Sequence, residues 1–313
     1  MRLGVELGGL RLKNPLVAAS GTFGYGVEYE GILDLSLLGG IVSKGLYLEP
    51  RDGCPVPRIV ETPSGLLNAI GLQGVGIRAF VKDVLPRLAG YDTAVIVNVC
   101  GDTVDEYAEV SRIASDAPGV SALEINISCP NVKKGGMAFG GDPRMTHEVV
   151  SAVRQATRLP VIPKLSPNVA DVTVFARVCE EAGADALSCI NTLLGLAIDV
   201  ERRVPRLAFG TGGLSGPAIR PIAVRMAWQA ARAVRIPVIG IGGITSTEDA
   251  LEFLVAGCRA VQVGTANFVD PGIYARILAG LESYLQRHHL GSIGEVVGIL
   301  RFPDADAPGG AGS

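Results

Sequence analysis

The 313-residue sequence has three histidines, one tryptophan and no closely spaced cysteine pair. His147, His288 and His289 fall in helical or polar patterns typical of solvated residues, so a Ser-His-Asp catalytic triad is not available. Six cysteines without a C-x-x-C pair argue against a metal cluster in this chain. Those within apolar patterns are predicted to be small buried side chains in a reducing compartment: Cys100, Cys179, Cys189 and Cys258.

The sequence also lacks a large excess of positive or negative charge, and it has no long apolar run. A net charge of -3 with a pI near 5.7 gives little support for a nucleic-acid partner or an anionic membrane surface, so the expected partner is a small molecule. The first residues form an amphipathic hairpin pattern at 5–7 and 10–12 rather than a charged and then apolar leader. No apolar run is long enough to cross a bilayer, and we therefore expect a cytoplasmic protein.

Short runs rich in Val and Ile alternate with helical patterns along the chain. The predicted strands are eight, the number that closes a parallel (β/α)8 TIM barrel: 16–20, 40–44, 94–99, 122–128, 161–165, 186–191, 238–241 and 260–263. The predicted covering helices are 103–115, 143–157, 171–182, 217–234 and 247–256. A doubly wound open sheet competes, but its Gly-rich dinucleotide turn is absent after the first strand. We expect one α/β domain over 1–302 and a disordered tail over 303–313.

Two kinds of glycine-rich segment are predicted at one face of this barrel. The segments 49–76 and 133–142 are too long and too rich in glycine for simple turns, and both are expected to project over the carboxyl ends of the strands. The last two strands end at Gly242-Gly243 and Gly264-Thr265. Because loops after strands seven and eight often cradle a phosphate, a phosphate-bearing cofactor or substrate is indicated.

The segment 124–131 is predicted to be a buried strand that ends in a glycine-rich loop. A thiol and two amides stand at this strand end: Asn126, Cys129 and Asn131. Barrel enzymes place their chemistry at such positions, because the strand fixes position and the loop excludes water. Without a histidine there, Cys129 is the natural proton acceptor.

Polar residues also stand at the ends of the other strands: Lys44, Asn98, Lys164, Asn191 and Thr192. A lysine inside the apolar run 161–165 is costly to bury unless an anion or hydrogen-bond acceptors meet its ammonium. Lys164, and Lys44 by the same reasoning, are therefore predicted to be functional. The alternative is a lysine that snorkels to the surface or forms a structural ion pair.

The motifs, in order, resemble class 1 dihydroorotate dehydrogenases, and within them the FMN-containing catalytic subunit of the 1B, NAD-linked type. The similar segments are AASGTFG at 18–24, SKG at 43–45, NAIGLQ at 68–73, NISCPN at 126–131, KLSPN at 164–168, NT at 191–192, GLSGP at 213–217, GIGGI at 240–244 and VQVGTAN at 261–267. They span most of the chain.

The resemblance implies FMN-dependent oxidation of dihydroorotate to orotate for pyrimidine synthesis, with Cys129 removing the C5 proton and a hydride passing from C6 to flavin N5. It implies substrate binding by Lys44, Asn68, Ala69, Ile70, Gly71, Leu72, Asn126, Asn131, Asn191 and Thr192. It implies FMN binding by Ser20, Lys44, Gly45, Asn98, Asn126, Lys164, Ile190, Gly216, Gly242, Gly243, Gly264 and Thr265. Lys164 would stabilise the anionic reduced flavin, and no metal site is implied.

Two segments depart from the family pattern. The chain has Gln73-Gly74-Val75-Gly76 where Gln-Asn-Pro-Gly is common, and Gly141 where a threonine is common. Neither departure removes a residue assigned to chemistry. A thiol base with an ordinary pKa of about 8.5 implies that flavin reduction accelerates toward alkaline pH.

The electron acceptor is the least visible feature in this sequence. The chain has no cysteine cluster and no dinucleotide fingerprint, so transfer to NAD would require a partner subunit with FAD and an iron–sulfur cluster around a homodimeric core. The alternative within the family is a 1A-type homodimer that reduces fumarate. The more distant alternative is a non-redox barrel, a lyase or isomerase, that binds a phosphorylated substrate at the same glycine turns.

Overall fold

The computed structural model describes residues 2–128, 130–131 and 137–302, of which 130–131 and 137–138 are described by their backbone. Eight parallel strands close into a barrel in chain order, and the last pairs with the first. The strands are Leu16–Ala18, Gly40–Val42, Ala94–Val99, Val120–Ile125, Val161–Leu165, Leu187–Cys189, Val238–Ile241 and Ala260–Val263. The predicted TIM barrel and all eight of its strands are confirmed.

Four barrel strands end earlier than the sequence predicted. Ser20, Lys44, Asn126 and Asn191 were placed within strands, but each lies in the loop that follows one. The strands stop where the ladder hydrogen bonds give way to turns; the amide of Lys44, for example, donates to the carbonyl of Gly24 at 2.8 Å. These side chains therefore lie above the barrel at the carboxyl end, not inside its wall.

The predicted helices cover the barrel exterior at Val104–Asp116, Pro143–Ala156, Val172–Glu181, Arg220–Ala233 and Thr247–Ala256. Short polar side chains at Thr103, Asp142, Asp171 and Ser246 accept hydrogen bonds from first-turn amides, which satisfies donors that the helix leaves unpaired. The region predicted as one helix over 217–234 begins with a 3-10 turn, Pro217–Ile219. Helical turns at Ile77–Ala79, Phe80–Val84 and Leu85–Leu88, and helices Ala266–Val269 and Ile273–Arg287, complete the ring.

The barrel interior changes from apolar to polar along its axis. At the amino-terminal end, eight residues, seven within the strands and one directly before the sixth, pack in one cluster with the hairpin Val5–Leu7 and Leu10–Leu12: Val17, Val42, Ile96, Ala122, Ile162, Ala186, Ile239 and Ala260. The side chains of a strand point to the same face at every second residue. The next inward positions include Asn98, Glu124, Lys164, Ser188 and Gln262, all of them buried. The hairpin thus closes the floor, and a polar layer lies above it.

A four-stranded antiparallel sheet covers part of the opposite end of the barrel. Its strands are Leu193–Leu196, Thr211–Ser215, Gly65–Asn68 and Ile59–Thr62, in that spatial order, and we call it the lid sheet. The segment 49–76 supplies two of these strands, so its predicted position over this face is confirmed. A small apolar cluster of Val60, Leu67 and Leu207 holds the sheet together. Two short antiparallel pairs also form, Pro130–Asn131 with Met137–Ala138 and Ile198–Asp199 with Val204–Pro205.

The cysteine and histidine predictions can be compared directly with the structure. Cys100, Cys179, Cys189 and Cys258 are buried free thiols, as predicted, and burial raises the pKa of Cys179 and Cys258. All three histidines are exposed. Within the described part of the chain, no helix is both long and apolar enough to cross a membrane. The predicted tail at 303–313 lies outside the described residues, and the single-domain assignment stays a prediction.

Candidate active site

One cavity at the carboxyl end of the barrel, partly beneath the lid sheet, brings together most of the predicted site residues. Those that line it are Ser20, Lys44, Gly45, Asn68, Ile70, Leu72, Asn98, Asn126, Lys164, Ile190, Asn191, Thr192, Gly216, Gly242, Gly243, Gly264 and Thr265. Each of the eight barrel strands contributes at least one of them, at its carboxyl end or in the loop that follows. Their convergence follows from barrel closure, which sets all eight strand ends around one opening.

Four predicted residues stand apart from this lining. Ala69 and Gly71 belong to the same loop as Asn68, but Ala69 packs against the apolar cluster of the lid sheet and Gly71 lies against Cys54. A Cβ on Gly71 would lie 2.5 Å from the Cys54 amide nitrogen, and its φ of 73° favours glycine. Cys129 lies outside the described residues, and the side chain of Asn131 is likewise outside them.

Several lining residues were not predicted from the sequence: Ala19, Gly21, Thr22, Ile59, Leu66, Ser215, Ile219, Ile241 and Phe268. Most are apolar or small and carry no chemical signal in the sequence. Ser215 is a partial exception, because it stands in the GLSGP motif and accepts a hydrogen bond from the Thr265 hydroxyl at 2.8 Å. That contact joins the lid sheet to the turn after the last barrel strand.

The glycine turns at one end of the cavity present free backbone donors. No backbone hydrogen bond joins the amides of Gly242, Gly243, Gly264 or Thr265 to another of the described residues. Four residues that line one cavity and whose amides have no backbone partner form a suitable binding site for an anion such as a phosphate.

The backbone at these turns leaves no room for larger residues. Gly243 has a φ of 70°, and a Cβ there would lie 2.8 Å from both the Arg220 Cβ and the Gly216 carbonyl oxygen. Gly242 is similar, with φ 136° and a Cβ position 2.7 Å from the Ala223 Cβ. The turn therefore packs directly on the start of the helix Arg220–Ala233. Arg220 is itself held by Asp249 and, at 3.4 Å, by Glu252.

The other end of the cavity is lined with side-chain amides that hold one another in place. Asn191 Nδ2 donates to the Ser128 hydroxyl at 3.1 Å and to Asn126 Oδ1 at 3.4 Å. The Tyr107 hydroxyl fixes the backbone of Asn126 by donating to its carbonyl at 2.6 Å. Asn68 is anchored from the lid sheet, where its Nδ2 donates to the Gly213 carbonyl at 3.2 Å. Such amides can both donate to and accept from a planar polar ring.

Lys44 places an ammonium group with a lowered pKa at this end of the cavity. Burial lowers the pKa of its ammonium, the nearby Arg58 guanidinium lowers that pKa further, and the Glu28 carboxylate opposes the change. A half-buried ammonium next to a second cation gains from binding an anion, because the anion offsets both the desolvation and the repulsion. Lys44 is therefore suited to a ligand carboxylate.

Lys164 lines the cavity from the fifth strand, and its ammonium lies next to a buried carboxylate. Its Nζ lies 3.6 Å from Glu124 Oε1, and both residues are almost wholly shielded from solvent. Glu124 was not among the predicted site residues. Its carboxylate also accepts hydrogen bonds from Asn98 Nδ2 at 2.8 Å, the Ser188 hydroxyl at 2.9 Å and Gln262 Nε2 at 2.6 Å.

The lining of the cavity could hold a cofactor that carries a phosphate and a flat polar ring. The amides at the glycine turns are suited to an anionic group, and Lys164 and Asn98 offer hydrogen-bond donors to a ring. The remaining side of the cavity, with Lys44, Asn68, Asn126, Asn191 and Thr192, leaves polar contacts for a small anionic substrate. Among the described residues, no cluster of metal-ligating side chains occurs.

Comparison with known proteins gives a consistent result. The chain is 57% identical to the protein named dihydroorotate dehydrogenase B (NAD(+)), catalytic subunit, of Pelobacter propionicus, over 95% of this chain and 97% of that one. It is 56% identical to the proteins of the same name from Geotalea uraniireducens and Desulforudis audaxviator, again over 95% of this chain and over 98% and 97% of theirs. The profile of the dihydroorotate dehydrogenase family matches residues 2–285. This chain therefore belongs to the dihydroorotate dehydrogenase family.

Proposed function

We propose that the chain oxidises dihydroorotate to orotate with a bound FMN, as the catalytic subunit of a 1B-type, NAD-linked enzyme. The observation that carries this proposal is the single cavity that joins four unpartnered backbone amides to an amide-lined end with a lysine. The names of the similar proteins support the same activity.

In this proposal the chain holds FMN along the cavity. The backbone amides of Gly242, Gly243, Gly264 and Thr265 bind the phosphate, and Gly216 allows its close approach. Ser20, Gly45, Asn98, Asn126 and Ile190 would contact the ring system, and Lys164 would stabilise the negative charge of its reduced form. When bound, FMN would supply the acceptor for the hydride from C6 of dihydroorotate.

The substrate occupies the amide-lined end. Lys44 pairs with the carboxylate, and Asn68, Asn126, Asn191 and Thr192 contact the imide groups of the ring. The loop 68–72 and Asn131 complete the substrate site in this proposal. The mutual hydrogen bonds of Asn126, Asn191 and Ser128 orient these groups before the substrate binds, which reduces the entropy lost in the reaction.

Cys129 is proposed as the base that takes the C5 proton, while the hydride leaves C6. Two electrons and two hydrogens thus leave the substrate, and a carbon–carbon double bond forms. Cys129 follows directly after Ser128, whose hydroxyl is already part of the substrate-side network. If a thiol is the base, flavin reduction should accelerate as the pH rises, because only the thiolate can accept the proton.

Reoxidation is assigned to a partner subunit. The similar proteins are named catalytic subunits of NAD(+)-type enzymes, which favours the 1B type over a fumarate-reducing homodimer. We propose that the partner carries FAD and an iron–sulfur cluster and passes electrons to NAD. The described residues contain no cluster of ligands of their own for such a centre.

The test is an anaerobic absorbance titration of the purified chain reconstituted with FMN. We expect dihydroorotate to bleach the flavin, faster as pH rises, and neither fumarate nor NAD alone to restore it. The Cys129→Ala variant should keep FMN and lose orders of magnitude in reduction rate. A colourless protein that takes up no FMN would overturn the proposal, rapid recovery with fumarate would favour the 1A type, and near-normal reduction in the variant would remove Cys129 from its role.

A further inference from the structure

We propose that Glu124 is a positioning residue that acts through Lys164, and that its negative charge sets the reduction potential of the bound flavin. This inference rests on the proposed function, because it concerns the polar layer directly beneath the same FMN site. Glu124 does not line the cavity itself. Its effect is transmitted by the ammonium that lies between its carboxylate and the cavity.

The carboxylate of Glu124 is held from four other barrel strands. Oε1 accepts from Asn98 at 2.8 Å and faces Lys164 Nζ at 3.6 Å, while Oε2 accepts from Ser188 at 2.9 Å and Gln262 at 2.6 Å. The side chain is fully buried. Every group that faces it is a donor, so the four contacts complement the negative charge of a carboxylate.

Burying a charge of this kind costs desolvation free energy, and an apolar residue at this position would avoid that cost. An apolar side chain of similar volume would fill the space at least as well, since replacing buried ion pairs by hydrophobic residues is often neutral or stabilising. The layer directly below shows that this barrel packs well with apolar residues such as Ala122 and Ile162. The polar cluster therefore points to a function beyond stability.

Lys164 is the member of this cluster that reaches the cavity. Among the described residues, Glu124 is the one carboxylate within 4.0 Å of its Nζ, at 3.6 Å, a distance longer than a hydrogen bond. An ammonium has three donors, so Lys164 keeps donors for a ligand above it. In the proposed site that ligand is the edge of the flavin ring, which becomes negative on reduction.

The balance of charge under the flavin follows from this geometry. The carboxylate of Glu124 and the ammonium of Lys164 together carry little net charge. The electrostatic attraction between this pair and the reduced flavin is therefore weaker than that of the ammonium alone. Removal of the carboxylate charge leaves a net positive charge in a poorly screened interior. The reduced anionic flavin is then favoured, which eases reduction by the substrate and hinders electron transfer onward.

The cluster can accept a neutral amide at position 124. Gln262 Oε1 is buried and has no hydrogen-bond partner in the described structure. After a Glu124→Gln substitution, the new NH2 group can replace Oε2, with Gln262 turning its amide to offer this free oxygen and the Ser188 hydroxyl rotating to accept. The substitution thus removes the charge while the shape and the hydrogen bonds are largely kept.

The experiment measures the flavin midpoint potential of the FMN-loaded protein against reference dyes, with a chemical reductant in place of dihydroorotate. We expect Glu124→Gln to raise the ratio of reduced to oxidised flavin at a fixed potential on the order of tenfold, which for a two-electron couple is about 30 mV. The matched control is Ser188→Ala, which removes one hydrogen bond to the same carboxylate but no charge. Its potential should stay near that of the parent protein.

A second measurement needs no flavin. Urea unfolding of the FMN-free chain is compared for Glu124→Gln, Lys164→Met and the double variant. If the two charges are coupled, the double variant loses less stability than the two single variants together. We expect its unfolding constant to be at least about tenfold smaller than additive losses would give. If Glu124→Gln alone fails to fold and the double variant folds, the same coupling is shown.

These outcomes separate the inference from the proposed function. A parent protein that binds FMN but is not reduced by dihydroorotate contradicts the proposed function, while the dye titration still reports on Glu124. If FMN does not bind at all, additive unfolding energies overturn the inference and coupled ones support the ion pair on which it depends. An unchanged potential in Glu124→Gln, or an equal shift in Ser188→Ala, overturns the role in setting the potential.

Discussion

At the scale of single residues, Lys44 shows how the surroundings of one side chain set its chemistry. Its pKa is lowered by burial and by the Arg58 guanidinium, so Lys44 loses its proton at a lower pH than a free lysine does. If it binds the substrate carboxylate, affinity for orotate should fall as the pH rises toward the lowered pKa, because the attraction is lost with the proton.

The Arg58→Gln variant removes the repulsion that lowers the pKa of Lys44. We therefore expect the loss of orotate binding to move to higher pH, as measured by the orotate-induced change in flavin absorbance across an alkaline pH series. Arg78→Gln is the matched control, since Arg78 is an exposed arginine that does not act on Lys44. A profile that does not move in Arg58→Gln would exclude Arg58 as a determinant of the charge at Lys44.

Sequence reasoning found most of the polar side chains at strand ends but missed Glu124, and the reason is physical. In a parallel barrel both faces of a strand are buried, so inward and outward positions are both largely apolar and the alternation is hidden. Lys164 was noticed because a lysine in an apolar run is conspicuous. Glu124 was assigned to the strand without a role, although it is two residues beyond Ala122 and so points to the same interior.

At the scale of elements, local patterns predicted the barrel but not the lid sheet. Each barrel strand and its following helix are neighbours in sequence, and caps such as Asp142 and Ser246 mark the helix starts. The lid sheet instead pairs Gly65–Asn68 with Thr211–Ser215, almost 150 residues away. Its strands have only four or five residues each, and three of the four contain glycine, so periodicity did not indicate them.

The turn after the seventh barrel strand is an element whose shape can be tested directly. Gly243→Ala should weaken FMN binding by about tenfold or more, because a Cβ at φ 70° is strained and pushes on the Arg220 Cβ and the Gly216 carbonyl. Fluorescence titration with FMN measures this. Gly210→Ala provides the control, with a similar φ of 89° and no atom within 4 Å of its Cβ, and equal losses in both variants would show that backbone strain alone is responsible.

At the scale of the whole molecule, the barrel interior separates stability from chemistry along its axis. The apolar floor, closed by the amino-terminal hairpin, lies at the end opposite the cavity. The polar layer of Glu124 and its partners lies between them. Because no residue of the floor lines the cavity, changes in the floor should alter the free energy of unfolding and leave substrate binding unchanged.

Leu7→Ala tests this separation. Leu7 is fully buried against the barrel strands, so its truncation should lower the free energy of unfolding by about 2–5 kcal/mol, through lost burial and the cavity left behind. Urea denaturation measures the loss, and the KM for dihydroorotate of the folded variant should match that of the parent protein. Leu194→Ala is the control for leucine truncation, since Leu194 is 68% exposed on the lid sheet and should change stability little. A large rise in KM for Leu7→Ala would mean that the hairpin supports the active site as well as the floor, and that the two ends of the barrel are coupled through the polar layer.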